Sequence, residues 1–246
     1  MTTFHKESGF IFPEKLVDKD SYTAKYYNEL LRGLTHKLNN LLAVIQGFSS
    51  LVLMQEGLDE MSKENLQHMK DAGTTASSLG ERILPAGGCS RVDISEMDLR
   101  TIAPMLESRL RTTVEKHSLM FSSNIASELP LIRGDKGKLR EILDALVTNA
   151  CEAAEPRGEV SLDILPPRQV LGSESNCVDI FVRNTGSAIP EDKLLEIFKP
   201  FYTTKDNVHL GIGLTTAYVS AGQMNMDLGV RSERGTTTFW LRVPMA

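Results

Sequence analysis

His36 and Asn40 stand four residues apart in the segment LTHKLNNLLAVIQG, which puts them one turn apart on the same face of a helix. An imidazole titrates near neutrality and carries a nucleophilic nitrogen, so a histidine there can accept a phosphoryl group at cellular pH. The next residue is Lys37, which cannot act as a base while protonated but whose charge attracts phosphate. Further along, Asn149 lies in LDALVTNACEAA among apolar neighbours. A buried amide without a partner is costly there, and a hard cation favours an oxygen ligand of the kind an amide supplies. Gly211 and Gly213 in LGIGL either let backbone N–H groups at a helix start approach a phosphate or simply open a helix.

The elements that must carry these residues follow from periodicity. From Tyr22 to about Gln55, the residues Leu31, Leu34, Leu38, Leu41, Leu42, Ile45, Phe48, Leu51 and Val52 recur at helical spacing and predict one long amphipathic helix. Gly57 and Asp59 break the pattern. A second helix is predicted over 61–84, with Leu66, Met69, Ala72, Leu79 and Ile83 on its stripe, stopped by PAGG at 85–88. A hairpin of this kind covers its stripe by pairing with a second copy into a four-helix bundle, or by packing on its own chain.

After residue 88 the pattern turns α+β. Helices are predicted over 99–116 and 136–154, near 191–198 and from about 213. Strands are predicted near 119–125, 160–165, 178–184, 226–232 and 236–243, with ERG as the last turn. Residues 1–20 carry no strong periodicity and read as an arm. The resulting domains are the arm at 1–20, the hairpin at 21–88 and an α/β sandwich at 95–246.

Composition sets the outer limits. With 246 residues, 41% hydrophobic and 24% charged, the chain has material for one large core or two ordinary ones. A net charge of −5 argues against nucleic acid or an anionic membrane as the main partner. No apolar run reaches the roughly 20 residues that span a bilayer, and the N-terminus lacks the signature of a secretion signal. Cys89, Cys151 and Cys177 are odd in number and far apart, with no CxxC pair. Reduced thiols in a cytoplasmic protein are therefore expected.

Four boxes stand in order: DKGKLREILDALVTNACEAA at 135–154, RNTGSAIPEDKLLEIFKPFYTTK at 183–205, LGIGLTTAYVSAG at 210–222, and the closing RGTTTFWLRVP. Their series resembles the catalytic and ATP-binding domain of the sensor histidine kinases, which has the Bergerat-type ATPase fold. LTHKLNNLLAVIQG resembles the phosphoacceptor box of the same family, in the branch that reads H-D-F-N-N-L-L. The resemblance implies His36 as phosphoacceptor, with Asn40 orienting the water that hydrolyses a response regulator's phospho-aspartate. It further implies Asn149 as the Mg²⁺ ligand beside ATP, with Glu141 near the metal. Asn184 falls where the family's Asp meets the adenine amino group, followed by Gly186 and Ala188. Lys205 would reach a terminal phosphate, and Gly211 and Gly213 the phosphate chain.

The chain departs from the family pattern at three of these positions. Lys37 replaces the acid that assists proton transfer from the histidine ring. Asn184 replaces the adenine-binding Asp, keeping an acceptor oxygen but losing its charge. Ala188 replaces a glycine. A fourth change lies beside these positions, where His209 stands in place of the glycine before LGIGL. The resemblance therefore implies an ATP- and Mg²⁺-dependent autokinase that phosphorylates His36 and passes the group to a response regulator. It also leaves open a histidine phosphotransferase, a regulator phosphatase or a pseudokinase scaffold. The expected partners are a receiver domain, a second copy of the chain and a separate sensor protein.

Overall fold

The computed structural model describes residues 4–13, 22–167, 169–170, 173–174, 176–204 and 210–246. The chain divides into two compact units, one of Val17–Ser90 and the other of Met1–Leu16 together with Arg91–Ala246.

The larger unit opens with β1 (Phe4–Glu7) and β2 (Phe10–Pro13). These strands lie where the sequence suggests only an arm. Ser8 and Gly9, at φ of 51° and 80°, join them in a two-residue turn that brings Glu7 opposite Phe10. Positive φ at both turn residues matches the twist of an antiparallel pair. Four-residue alternation on each side of that turn is too short to stand out as periodicity.

The smaller unit is the helical hairpin of α1 (Tyr22–Leu53) and α2 (Glu60–Ala86). Asp59 caps α2 by accepting from the Ser62 N–H at 2.8 Å. The second helix runs past Leu84, where the sequence stops it, because Pro85 removes only one donor in its last turn. Gly87 N–H still donates to Ile83 O at 2.9 Å, and the chain leaves the helix only there. The two helices meet through small and polar residues. A Cβ at Gly80 would lie 3.1 Å from Thr35 Cγ2 and 3.2 Å from Asn39 Oδ1, and Gln46 donates to Thr74 Oγ1 at 3.1 Å. The large side chains Leu34, Leu38, Leu41, Ile45, Phe48 and Leu51 are exposed, Phe48 by 65%.

In the remainder of the larger unit come β3 (Ser95–Asp98), α3 (Leu99–Lys116), β4 (Met120–Ile125), β5 (Leu131–Gly134) and α4 (Lys136–Ala153). They are followed by β6 (Glu159–Leu165), the two-residue strands β7 (Gln169–Val170) and β8 (Ser173–Glu174), and β9 (Cys177–Thr185). The helix expected near 191–198 is two short 3-10 turns, Glu191–Lys193 and Glu196–Phe198. The chain ends with α5 (Gly213–Gln223), β10 (Asp227–Glu233) and β11 (Thr236–Pro244).

The main sheet has the order β1-β2-β10-β11-β9-β6-β4. All its pairs are antiparallel except β4 with β6. The two strands β3 and β5 pair separately, as do β7 and β8. Alternation along the central strands sends Val160, Leu162 and Ile164, and Val178, Ile180 and Val182, into one core with Ile102, Leu106 and Leu110 of α3 and Leu139, Ile142, Leu146 and Val147 of α4. The other face of β9 and β11 presents Phe181 and Trp240, which cluster with Phe10 and Phe12 of the N-terminal hairpin. Arg242 holds that hairpin down, bidentate to the Glu7 carboxylate with its shortest contact at 2.5 Å, while its guanidinium lies 4.5 Å from the Trp240 ring.

Candidate functional site

The residues singled out in the sequence fall on both units, so two sites are described, each within its own unit. On the hairpin, α1 carries His36, Lys37 and Asn40, all exposed. The side chains of His36 and Asn40 do meet. The amide Nδ2 of Asn40 lies 3.4 Å from Nδ1 of the imidazole, as expected of neighbours one helical turn apart. Thr35 is buried against α2, and this fixes the rotation of α1 that turns His36 outward. Asn39 is half-buried, and its Oδ1 has no hydrogen-bond partner among the described residues.

In the larger unit α4 is the rigid support. Its N-cap, Asp135, accepts from the N–H groups of Gly137 at 2.8 Å and Lys138 at 3.1 Å, and from Asp93 at 2.9 Å. Burial alone would raise the Asp135 pKa, but the backbone donors outweigh it and hold the carboxyl below its ordinary value. Asn149 lies half-buried beside the apolar face formed by Leu146, Val147 and Ala150. Two acids of this helix are engaged elsewhere: Glu141 is exposed and paired with Lys138 at 2.7 Å, and Asp144 with Arg109 at 2.9 Å. Cys151 faces the core, and burial, with the nearby Glu152 charge second, pushes its thiol up to about 11. Such a thiol is inert at neutral pH.

Asn184, on the central strand β9, is only 1% exposed. Its Nδ2 donates to Thr185 O at 3.3 Å, whereas Oδ1 has no partner among the described residues. Rotating the amide would set its oxygen against that carbonyl, so the free group is the acceptor. An orphaned buried acceptor costs about 1–3 kcal/mol, which makes the position costly unless something donates to it. Across the sheet Asn184 pairs with Thr237, and opposed residues of an antiparallel pair share a face. The Thr237 hydroxyl lies 2.7 Å from Ser232 Oγ, which accepts from Ile189 N–H at 2.8 Å. This chain of hydroxyls ties down the loop bearing Ala188, which is itself exposed. Thr237 and Ser232 escaped the sequence reading; the Thr run after the RG turn is the only signal that pointed to them.

Gly186 is set by packing. A Cβ there would fall 2.3 Å from Ala153 O, where the end of β9 crosses the end of α4. Gly211 has φ of 63°, and a Cβ would meet Tyr202 O at 2.5 Å, so LGIGL and FKPFYTTK are in contact at their backbones. Phe201 also takes positive φ, 65°, and its ring is exposed. Backbone strain in a bulky residue of this sort concentrates at functional sites. Thr215 Oγ1 donates to Phe198 O at 3.1 Å and joins that segment to α5. Gly213 opens α5 with no side-chain cap at Ile212 and no acid in the first turn. The helix start therefore offers backbone donors and a positive dipole end. Lys205 and His209 lie outside the described residues.

The orphaned acceptor on β9, the glycine cradle and the uncapped start of α5 suit a nucleotide: a donor on the base, and phosphates at the helix. Among the described residues no group of three or more His, Cys, Asp or Glu gathers as a metal site. A cation here would depend on Asn149 and on the phosphates themselves. No helix among the described residues is long and apolar enough to cross a membrane.

Residues 134–246 match the family of histidine kinase-, DNA gyrase B- and HSP90-like ATPases. The chain is 26% identical over 226 residues to the sensor kinase CckA of Brucella abortus (strain 2308), covering 88% of this chain and 24% of that protein. It is 26% identical over 235 residues to the signal transduction histidine-protein kinase BarA of Escherichia coli K12, covering 89% of this chain and 25% of that one. It thus spans about a quarter of the length of these curated relatives. Among solved structures, full-length ShkA in complex with AMPPNP aligns with a TM-score of 0.67 at 23% identity, over 89% of this chain and 46% of that chain. The complex of histidine kinase ThkA with response regulator TrrA aligns with a TM-score of 0.57 at 18% identity, over 100% of this chain and 78% of that chain.

Proposed function

We propose that the chain has the catalytic core of a sensor histidine kinase, binds Mg-ATP, phosphorylates His36 and passes the phosphoryl group to an aspartate of a response regulator. The observation that carries this reading is the orphaned Oδ1 of Asn184. A buried acceptor with nothing to accept from is a standing cost, and the amino group of an adenine removes it. Binding of the base then needs no charge on residue 184.

The roles follow from the chemistry of the groups. Asn149 would hold Mg²⁺ together with phosphate oxygens, the cation neutralising charge as the phosphoryl group leaves. Backbone N–H groups at the start of α5 would orient the phosphates, with Lys205 adding a point charge. His36 is the nucleophile, and its exposure suits a reaction in which one group must be reached by successive partners. The exposed apolar side chains of α1 from Leu34 to Leu51 support a homodimer in which two hairpins bury these stripes against each other.

A second reading, a phosphotransferase or regulator phosphatase, draws on Lys37 and on the contact between His36 and Asn40. It keeps the hairpin's chemistry and dispenses with ATP. Incubation with labelled Mg-ATP separates the two. The kinase reading expects acid-labile, alkali-stable label on the wild type and none on His36→Ala or Asn149→Ala. Label that persists on His36→Ala rejects His36 as acceptor, and an unlabelled wild type transfers the proposal to the second reading.

A further inference from the structure

The contact between Asn40 and His36 carries a consequence for how the ring is made reactive, given His36 as phosphoacceptor. A neutral imidazole bears one proton and one lone pair, and only the nitrogen with the lone pair attacks. Nδ1 faces Asn40, which leaves Nε2 as the nitrogen open to a phosphoryl donor. For Nε2 to attack, the proton must sit on Nδ1. Free imidazole side chains in water prefer the opposite tautomer, so an acceptor beside Nδ1 is needed. The neighbour in sequence, Lys37, is a cation and accepts nothing while protonated.

We propose that Asn40 supplies this acceptor and is the positioning residue that selects the reactive tautomer of His36. The side chain is exposed, so a half-turn of its amide places Oδ1 where Nδ2 stands, 3.4 Å from Nδ1, without meeting a packed neighbour. Two pairings are then available. With Nδ2–H donating to Nδ1, Nε2 keeps the proton and is inert. With Nδ1–H donating to Oδ1, the Nε2 lone pair is free. Only the second strengthens along the reaction. As the Nε2–P bond forms and the bond from phosphorus to its leaving oxygen breaks, positive charge spreads over the ring, and Nδ1–H···Oδ1 becomes charge-assisted. The leaving oxygen keeps the electron pair of the broken bond. An amide cannot take up the ring proton, so that proton passes from Nδ1 to water, which reaches the exposed side chain. Asn40 thus does by hydrogen bonding what a carboxylate does by hydrogen bonding and proton transfer together.

The test uses the full chain, with phosphoramidate as donor so that the nucleotide pocket plays no part. Nitrogen-15 NMR of His36 reads the tautomer, and phosphorus NMR reads the ring nitrogen phosphorylated and the rate. The expectation is a substantial Nδ1–H population in the wild type and phosphorylation at Nε2. In Asn40→Ala the proton should move toward Nε2 and the rate should fall about fivefold, the factor that one ordinary hydrogen bond supplies. Asn40→Asp should restore both. Circular dichroism that matches between variants separates this loss from unfolding. Phosphohistidine formed by the wild type, with tautomer and rate unchanged in Asn40→Ala, overturns the role of Asn40 alone. A wild type that forms no phosphohistidine overturns the reading of His36 along with it.

Discussion

Replacing Asn184 by valine should make the protein more stable and a poorer nucleotide binder at once. In the ligand-free protein the substitution removes an acceptor, Oδ1, that has no partner among the described residues, recovering about 1–3 kcal/mol. It also removes the 3.3 Å bond from Nδ2 to Thr185 O, worth about 1 kcal/mol. That carbonyl still accepts from Glu155 N–H at 3.3 Å, so no new orphan appears. Valine has nearly the volume of asparagine and suits a strand. The net gain is about 1 kcal/mol, or about 2–4 °C in Tm for a domain of this size. With Mg-ATP the order should invert. A ligand at one hundred times its Kd stabilises the wild type by about 2.7 kcal/mol, and the variant should gain less because the base has lost its acceptor. Thermal melts of both proteins with and without Mg-ATP suffice. A variant that melts below the wild type without ligand, or that gains as much from nucleotide, would refute the reasoning that Oδ1 is an acceptor waiting for a base.

Two further expectations concern the supports of the sites. Asp135→Ala removes the cap of α4 and should cost about 1–2 kcal/mol at neutral pH. Because folding depresses this carboxyl, its contribution is present above the ordinary carboxylate pKa and is lost as pH falls through the lower folded value. Urea melts should therefore show the full penalty at about pH 7 and a shrinking one as pH falls below the ordinary carboxylate range; a penalty that does not change with pH would discount the charge. Phe48→Asp places a carboxylate within the exposed stripe of α1. Losing about 2 kcal/mol of burial from each of two copies weakens a dimer by about 4 kcal/mol, roughly a thousandfold in Kd. Light scattering at micromolar concentration should then find monomer where the wild type is dimeric, and a monomeric wild type would dismiss the paired bundle.

The hairpin and the central strands were legible because their apolar residues recur with a clean period over many turns. Leu99–Lys116 was read from that period to its observed bounds. The period did not tell which side of α1 meets α2. The contact runs through Leu31, Thr35, Asn39 and Gln46 against Gly87, Gly80 and Gly73, while Leu34, Leu38, Leu41 and Leu51 point away. β1 and β2 were missed for a different reason. Four-residue strands hold too few alternations, and their partner β10 lies at the other end of the chain. At the proposed nucleotide site the sequence identified Asn184 as a departure from the family pattern. Only the structure distinguishes its occupied donor from its free acceptor, because that depends on Thr185 O and on the strands to either side. Thr237 was invisible for the same reason, its place being set by the register of β11 on β9.

The N-terminal hairpin changes how the order of synthesis relates to the order of folding. β1 and β2 emerge first, yet β2 docks on β10 through Ile11 and Val230, and Glu7 is clamped by Arg242, 235 residues later. In sequence, the helical unit is thus an insertion between the two parts of the larger unit. While the chain is being made, Phe10 and Phe12 cannot complete their aromatic cluster until Trp240 has been synthesised. Closing so long a loop adds little entropy cost beyond that of a shorter one, but it comes late and slows the final step. The central strands β6 and β9 with α3 and α4 can assemble before it. The aromatic seam on the outer face of the sheet then acts as a latch, and its closing requires that β11 has been made.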